Sequence, residues 1–287
     1  MDDGARATFR TIAVLTLIPV AAFALYYLYS SLAPSPSPSP ALSPSTNPPT
    51  PPPHQPTTQQ AALPRVHASR PRIVLIIDDL GFEGQPLDRV MSLDPNVNCA
   101  ILPNSTRAAE FAEKLHARGY EILCHLPMEP RGSEAPGRNA ILTSMSDDEI
   151  AKATRQNVDA VPYARGVNNH MGSLATSDRR VMASVMRAMP KGMYFVDSRT
   201  IGSSVAAEVA REMNVRTAAR NVFLDDGAIT EATVRRQLAE LAEAAERHGV
   251  AVGIGHPHPA TMRVLAEGMP ELRAKGFRFV RASEVVR

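Results

Sequence analysis

Asp78 and Asp79 stand side by side at the end of the apolar run Ile73-Val74-Leu75-Ile76-Ile77, and Gly81 follows almost at once. Two adjacent carboxylates repel, so a counter-charge is expected beside them. Imidazoles occur behind other apolar runs. His125 lies in CHLPMEP with Glu129 four residues on, His170 lies in GVNNHMGS behind Asn168 and Asn169, and His256 lies in GIGHPHP with His258 close behind. Asp197 and Arg199 follow a further run, MYFV. A divalent cation held by one carboxylate and by imidazoles, with a position left open for water, is a known hydrolytic arrangement. Such a cation lowers the pKa of its water and polarises a carbonyl oxygen. The second carboxylate, near the cation but not bound to it, is suited to take the water's proton. The plainer reading of Asp78 or Asp79 is a helix N-cap at a turn.

These residues act together only if the fold collects them. Short β-rich runs are expected at 73–77, 97–101, 121–124, 165–167, 193–196, 250–254 and 278–280, with a weaker one at 222–224. Helical patterns lie between them. Apolar residues at 108, 111, 112 and 115 mark one face of a helix over 106–118. Ser146 and Glu149 read as a capping box opening a helix to about residue 160. Further helices are expected from Ser177 or Asp178 to 189, over 203–213, over 230–248 with Gly249 as its stop, and over 259–275 with a break near Gly268 and Pro270. Strand–helix alternation means parallel strands with right-handed crossovers. The expected fold is a distorted (β/α) barrel of seven or eight parallel strands over 72–287, with a doubly wound open sheet as the alternative. In both, the working surface is the C-terminal rim of the strands, where the Asp and His residues fall. Neither GxGxxG nor GxxxxGK[ST] occurs, so dinucleotide and P-loop functions lack their fingerprints.

The 287-residue chain carries a net charge of only +2, which argues against nucleic acid as its main partner. It has no Trp and few aromatics, so extended stacking platforms for sugars or bases are not expected. Cys99 and Cys124 are too few for a disulfide scaffold; both sit in apolar runs and read as buried small residues, with a single bridge possible in an oxidising compartment. The first 71 residues read differently from the rest. Residues 12–29 are uncharged and apolar, Arg6 and Arg10 precede them, and no basic residue follows until Arg65. Residues 1–33 are therefore expected to be a membrane anchor with its N-terminus in the cytoplasm, or else a cleaved signal peptide. Twelve of the 31 residues from 34 to 64 are Pro. Residues 34–71 are expected to be a disordered, extended spacer, leaving the domain on the periplasmic side of the cytoplasmic membrane, or secreted if the leader is cleaved.

The folded part resembles the divergent polysaccharide deacetylases, distant relatives of the metal-dependent chitin and peptidoglycan deacetylases. Ile76-Ile77-Asp78-Asp79-Leu80-Gly81 resembles their Asp-Asp-Gly strand end, with one residue inserted before the glycine. By that resemblance Asp78 is the general base and Asp79 a metal ligand. Gly119-Tyr120-Glu121-Ile122-Leu123-Cys124-His125 is similar to the relatives' second motif up to its first metal histidine; the second falls on Glu129. The resemblance leaves the third ligand to His170 or Glu129. His170 is favoured, giving Asp79, His125 and His170 around a divalent metal, zinc above others. Glu129, Asn168, Asn169, Asp197, Arg199 and His258 are then substrate contacts or supports for the ligands, with Asp197 to orient an imidazole or the base. Arg199 binds a substrate carboxylate or pairs with Asp197. Gly255-His256-Pro257 resembles the closing Leu-His-Asp motif, which makes His256 the general acid, with Pro257 where an Asp is usual. The implied activity is N-deacetylation of an amino sugar in an envelope carbohydrate. The alternatives are a carbohydrate- or protein-binding module without catalysis, and a different metal hydrolase such as an esterase or phosphodiesterase.

Overall fold

The computed structural model describes residues 70–287. The expected anchor, and the expected spacer up to residue 69, lie outside the described residues. Among the described residues no helix is long and apolar enough to cross a membrane.

The described residues form nine strands: β1 (Arg72–Leu80), β2 (Asn98–Ile101), β3 (Glu121–Met128), β4 (Ala164–Met171), β5 (Tyr194–Asp197), β6 (Thr217–Ala219), β7 (Val222–Phe223), β8 (Val250–Gly255) and β9 (Arg278–Phe279). Seven α-helices join them: α1 (Leu87–Val90), α2 (Ala108–Ala117), α3 (Asp147–Asp159), α4 (Arg179–Ala188), α5 (Ala206–Glu212), α6 (Glu231–His248) and α7 (Pro259–Ala274). The strands pair in the order β6-β5-β4-β3-β2-β1-β8-β7, and every paired ladder is parallel. The two ends of that order are neighbours in the chain. Only Arg220 and Asn221 separate β6, which pairs with β5, from β7, which pairs with β8. Arg220 N–H donates to Asp197 O at 2.9 Å and Asn221 N–H to Val252 O at 2.8 Å, so one peptide stretch crosses from one sheet edge to the other. The result is a barrel-like α/β fold with a seam there.

The strand at 278–280 is not a stave of this ring. β9 pairs with β1 only at Arg72 and Ile73 and stands off the strand path. The residues behind it run under the barrel instead. Val280, Ala282 and Val286 pack with Val74, Ile76, Leu123, Tyr194, Val196, Val252 and Ile254 in an interior cluster. Glu121 ties this plug down, accepting from Tyr194 Oη at 2.7 Å and from Ser283 N–H at 2.9 Å. The helix over 259–275 does not break. α7 runs through both Gly268 and Pro270, and Gly268 faces α6, where a Cβ would lie 2.6 Å from Leu238 Cδ2. A Cβ at this position would require the end of the Leu238 side chain to shift. Cys99 and Cys124 are buried free thiols, and burial pushes both pKa values up.

Strand periodicity decides what faces inward. In β1, Ile73, Leu75 and Ile77 pack outward under the helices, whereas Val74 and Ile76 fill the interior. Side chains alternate with period two, so Asp78 continues the inner row at the rim. The same parity holds elsewhere. Leu123 is interior and Cys124 and Leu126 are exterior, which turns His125 inward. Val167 is exterior, which turns Asn168 and His170 inward. Val252 and Ile254 are interior and set the row that His256 continues.

Candidate metal centre and acid–base pair

The rim of the barrel gathers carboxylates and imidazoles from four strands. Asp79 has a left-handed backbone, φ 59°, which turns its carboxylate out of the regular alternation and towards the site. Its Oδ1 lies 3.1 Å from His125 Nε2 and 2.9 Å from His170 Nδ1. That oxygen is buried and makes no hydrogen bond of acceptable geometry despite those distances. Three ligand atoms converging on one point without hydrogen bonding each other is what a tetrahedral cation site requires. With bonds of about 2.1 Å, its ligand–ligand edges are roughly 3.4 Å. Asp79, His125 and His170 therefore fit a divalent cation. Burial would raise the Asp79 pKa, but the two histidines hold it well below the usual carboxylate range.

Asn168 sets the chemistry of its neighbours. Its Oδ1 is 3.0 Å from His125 Nδ1, and its Nδ2 donates to Asp78 Oδ1 at 2.8 Å. An amide oxygen only accepts, so His125 Nδ1 carries the hydrogen and Nε2 keeps its lone pair for a cation. One buried amide thus fixes both a ligand's tautomer and the direction of the Asp78 carboxylate. Burial raises the Asp78 pKa, opposed by His125 and His256 and reinforced by Asp79. Asn168→Ala removes both bonds and is expected to weaken metal affinity about 10–100-fold, the usual effect of deleting a partner of a metal ligand. Competition titration with a zinc indicator reads this directly; unchanged affinity would deny Asn168 its role.

His256 stands across the rim, with Nε2 3.8 Å from Asp79 Oδ2. Its other nitrogen, Nδ1, is 2.9 Å from Asp225 Oδ1, and its backbone N–H donates to Asp225 Oδ2 at 2.7 Å. Thr261 Oγ1 also donates to Oδ2 at 2.7 Å. Burial would lower the His256 pKa, but Asp225, Asp78 and Asp79 outweigh it and push it up to about 9. Asp225 is the partner that position 257 does not supply. Sequence reasoning missed it, although Leu224-Asp225-Asp226-Gly227 sits directly behind the weak strand at 222–224. Phe223 stacks on His256 with ring centroids 5.7 Å apart, and the Arg220 guanidinium lies over the Phe223 ring, 4.0 Å from its centroid.

The remaining candidates lie outside the Asp79–His125–His170 group. Glu129 Oε2 accepts from the Thr143 N–H at 2.6 Å and Oγ1 at 2.7 Å, and does not share the Asp79–His125–His170 group. Asn169 has exterior parity; it donates to Met171 O at 2.8 Å and accepts from Ser198 N–H at 2.9 Å, so both amide ends are spent on backbone. Asp197, also of exterior parity, orients no imidazole: it accepts from Arg199 N–H and from Ser204 Oγ, both at 2.8 Å. Arg199 meets Asp197 through its backbone, and its exposed guanidinium forms no ion pair with it. His258 lies beside His256, ring centroids 5.8 Å apart, and completes a group with Asp225 and His256.

The family model of the divergent polysaccharide deacetylases matches residues 75–286. The chain is 41% identical over 197 residues to uncharacterized protein YibQ of Escherichia coli (strain K12), across 68% of this chain and 61% of that one. It is 34% identical over 205 residues to an uncharacterized protein of Haemophilus influenzae, across 71% and 73% of the two chains. The chain thus spans about three fifths of the length of its E. coli relative. The crystal structure of uncharacterized protein ATU2773 from Agrobacterium tumefaciens C58 has the same fold, with a TM-score of 0.73 at 23% identity over 78% of this chain and 92% of that one.

Proposed function

The chain belongs to the divergent polysaccharide deacetylase family, and on that premise we propose that it is a metal-dependent hydrolase removing an acetyl group from an amino sugar of an envelope glycan. The observation that carries this reading is the convergence of Asp79, His125 and His170 on one point, with Asp78 on one side and the Asp225–His256 pair on the other. Asp79, His125 and His170 would hold the cation, for which we propose zinc. When bound, it supplies Lewis-acid polarisation of the amide carbonyl and a water of lowered pKa.

The chain's own groups do the proton work. Asp78 accepts the proton of the attacking water. Its Oδ2 lies 3.6 Å from His125 Nε2 and its Oδ1 is held by Asn168, so the buried carboxylate is fixed beside His125. Its burial-raised pKa moves it towards the range in which a general base is efficient. His256, with Nδ1–H held by Asp225, presents Nε2 to the nitrogen that leaves and gives it a proton. The C–N bond breaks, a C–O bond forms, and the products are acetate and an amine. For location we propose residues 1–33 as a cytoplasmic-membrane anchor and 34–71 as a tether, supported by the uncharged 12–29 run and the Pro-rich stretch behind it.

The test is acetate release by the zinc-loaded full chain from N-acetylated oligosaccharides, run beside aryl acetates and phosphodiesters. Acetate from the amide substrates is expected. Turnover of the esters or phosphodiesters alone would reassign the reaction. Turnover of nothing by metal-loaded protein would make the chain a glycan-binding module.

A further inference from the structure

A groove of about 760 Å³ opens from Asp79 and His256, within the range of roughly 300–1,000 Å³ that small-molecule sites occupy. One wall is the stretch from Phe82 to Pro86, the other is Pro257 to Pro259. Prolines at 86, 257 and 259 fix φ along both walls, so the groove is largely pre-formed. Gln85 holds the first wall to the metal-ligand strand. Its Oε1 accepts from the N–H groups of Gly81 and Phe82 at 2.8 and 2.9 Å, and its Nε2 donates to Asp79 O at 2.6 Å. Phe82 is thereby presented to solvent by a pinned loop, 44% exposed. The phenyl ring thus keeps part of its flat apolar surface open where it lines the groove.

The groove's charges are distributed unevenly. Arg263 is paired with Glu231. Glu83, on the Phe82 wall, has Arg107 as a counter-charge. Arg89 lines the groove, is exposed, and has no ion-pair partner among the described residues. One flat apolar face and one uncommitted guanidinium therefore lie along a groove that ends at the acid and the metal ligand.

The geometry points to a subsite for an acidic glycan: Phe82 stacks on the sugar ring next to the one that reacts, and Arg89 takes a negatively charged substituent of that ring. This rests on hydrolysis at the Asp79–His256 site and adds the substrate class to it. A single phenyl face serves a single ring, so the low aromatic content of the chain is no obstacle. A guanidinium matches a carboxylate in a fork of two hydrogen bonds, which a neutral sugar does not offer.

Calorimetric titration of the zinc-loaded full chain with two tetrasaccharides tests this. One is neutral, all N-acetylglucosamine; the other alternates N-acetylglucosamine with glucuronic acid. The acidic probe is expected to bind about tenfold tighter at low salt, and the advantage is expected to shrink as salt rises. Arg89→Gln should abolish the preference, and Phe82→Ala should weaken both probes about tenfold. Equal affinities in the wild type, or a preference that survives Arg89→Gln, overturn the Arg89 assignment. Full affinity in Phe82→Ala overturns the stacking assignment. Acetate release is followed in the same samples. Release without an acidic preference removes the subsite and leaves the hydrolase; an acidic preference without release does the reverse.

Discussion

Asp79→Asn is expected to strip the divalent ion and to lower turnover by about 10³-fold or more. A cation contributes several kcal/mol of charge stabilisation to the transition state, and each ~1.4 kcal/mol is a factor of ten. Asp79 is the only anion of the three converging groups; without it two neutral imidazoles remain to hold the ion. Its Oδ1 is also the point both imidazoles approach, at 3.1 and 2.9 Å. An amide there offers a weaker oxygen or turns N–H groups towards His125 and His170. The fold should survive, because removing one of two adjacent carboxylates relieves like-charge repulsion on Asp78. Elemental analysis of full-length protein purified without chelator or affinity histidines reads the metal, and acetate release reads turnover. The His125→Ala, His170→Ala double variant is the control and should lack metal too. Stoichiometric metal in both variants would remove the centre from this rim. No metal in the wild type even after soaking would make the Asp78–Asp79 pair a structural turn.

Much of the fold was legible because parallel α/β architecture writes itself as apolar runs separated by helix patterns. The capping box at Ser146 and Glu149, the glycine stop at 249 and the order of alternating elements are all local signals. What escaped was non-local. The run at 278–280 has the composition of a stave, but only the closure of the barrel decides that β9 stays off the strand path, paired to β1 alone. Gly268 and Pro270 read as a break, whereas α7 runs through both. At the site, position behind a strand brings polar residues to the rim but does not decide which way each one points. Parity separates them. Asp78, His125, Asn168, His170 and His256 continue interior rows, whereas Asn169 and Asp197 continue exterior ones and bond to backbone and Ser204 instead. The same rule applied to the weak strand at 222–224 finds Asp225, two residues beyond Phe223, which packs on the interior side. A short strand with a faint signal hid the residue that orients His256.

That residue gives the second large effect. Asp225→Asn is expected to lower kcat about 10²–10⁴-fold, the range of general acid–base contributions, while metal content and KM change little. Three donors point at this carboxylate: His256 N–H and Thr261 Oγ1 at Oδ2, and His256 Nδ1 at Oδ1. An asparagine has one acceptor oxygen. The His256 backbone N–H can only donate and holds that oxygen at the Oδ2 position, where the Thr261 hydroxyl can also donate to it, so the amide NH₂ faces His256 Nδ1. The imidazole must then carry its single proton on Nε2, and its protonated form meets a donor instead of an anion. Burial, which already acts to lower the His256 pKa, loses its chief opponent, so the pKa falls from about 9 towards or below the ordinary histidine value. The acid must be protonated to act, so the alkaline limb of the pH–rate profile moves to lower pH. A purely structural Asp225 would lower stability without moving that limb or exchanging the imidazole tautomer. Nitrogen-15 NMR of His256, read beside the pH profile and the metal content, separates the two. Retained metal with a shifted limb and an Nε2–H tautomer is the expected pattern. An unshifted limb with wild-type kcat would take the proton donor away from His256.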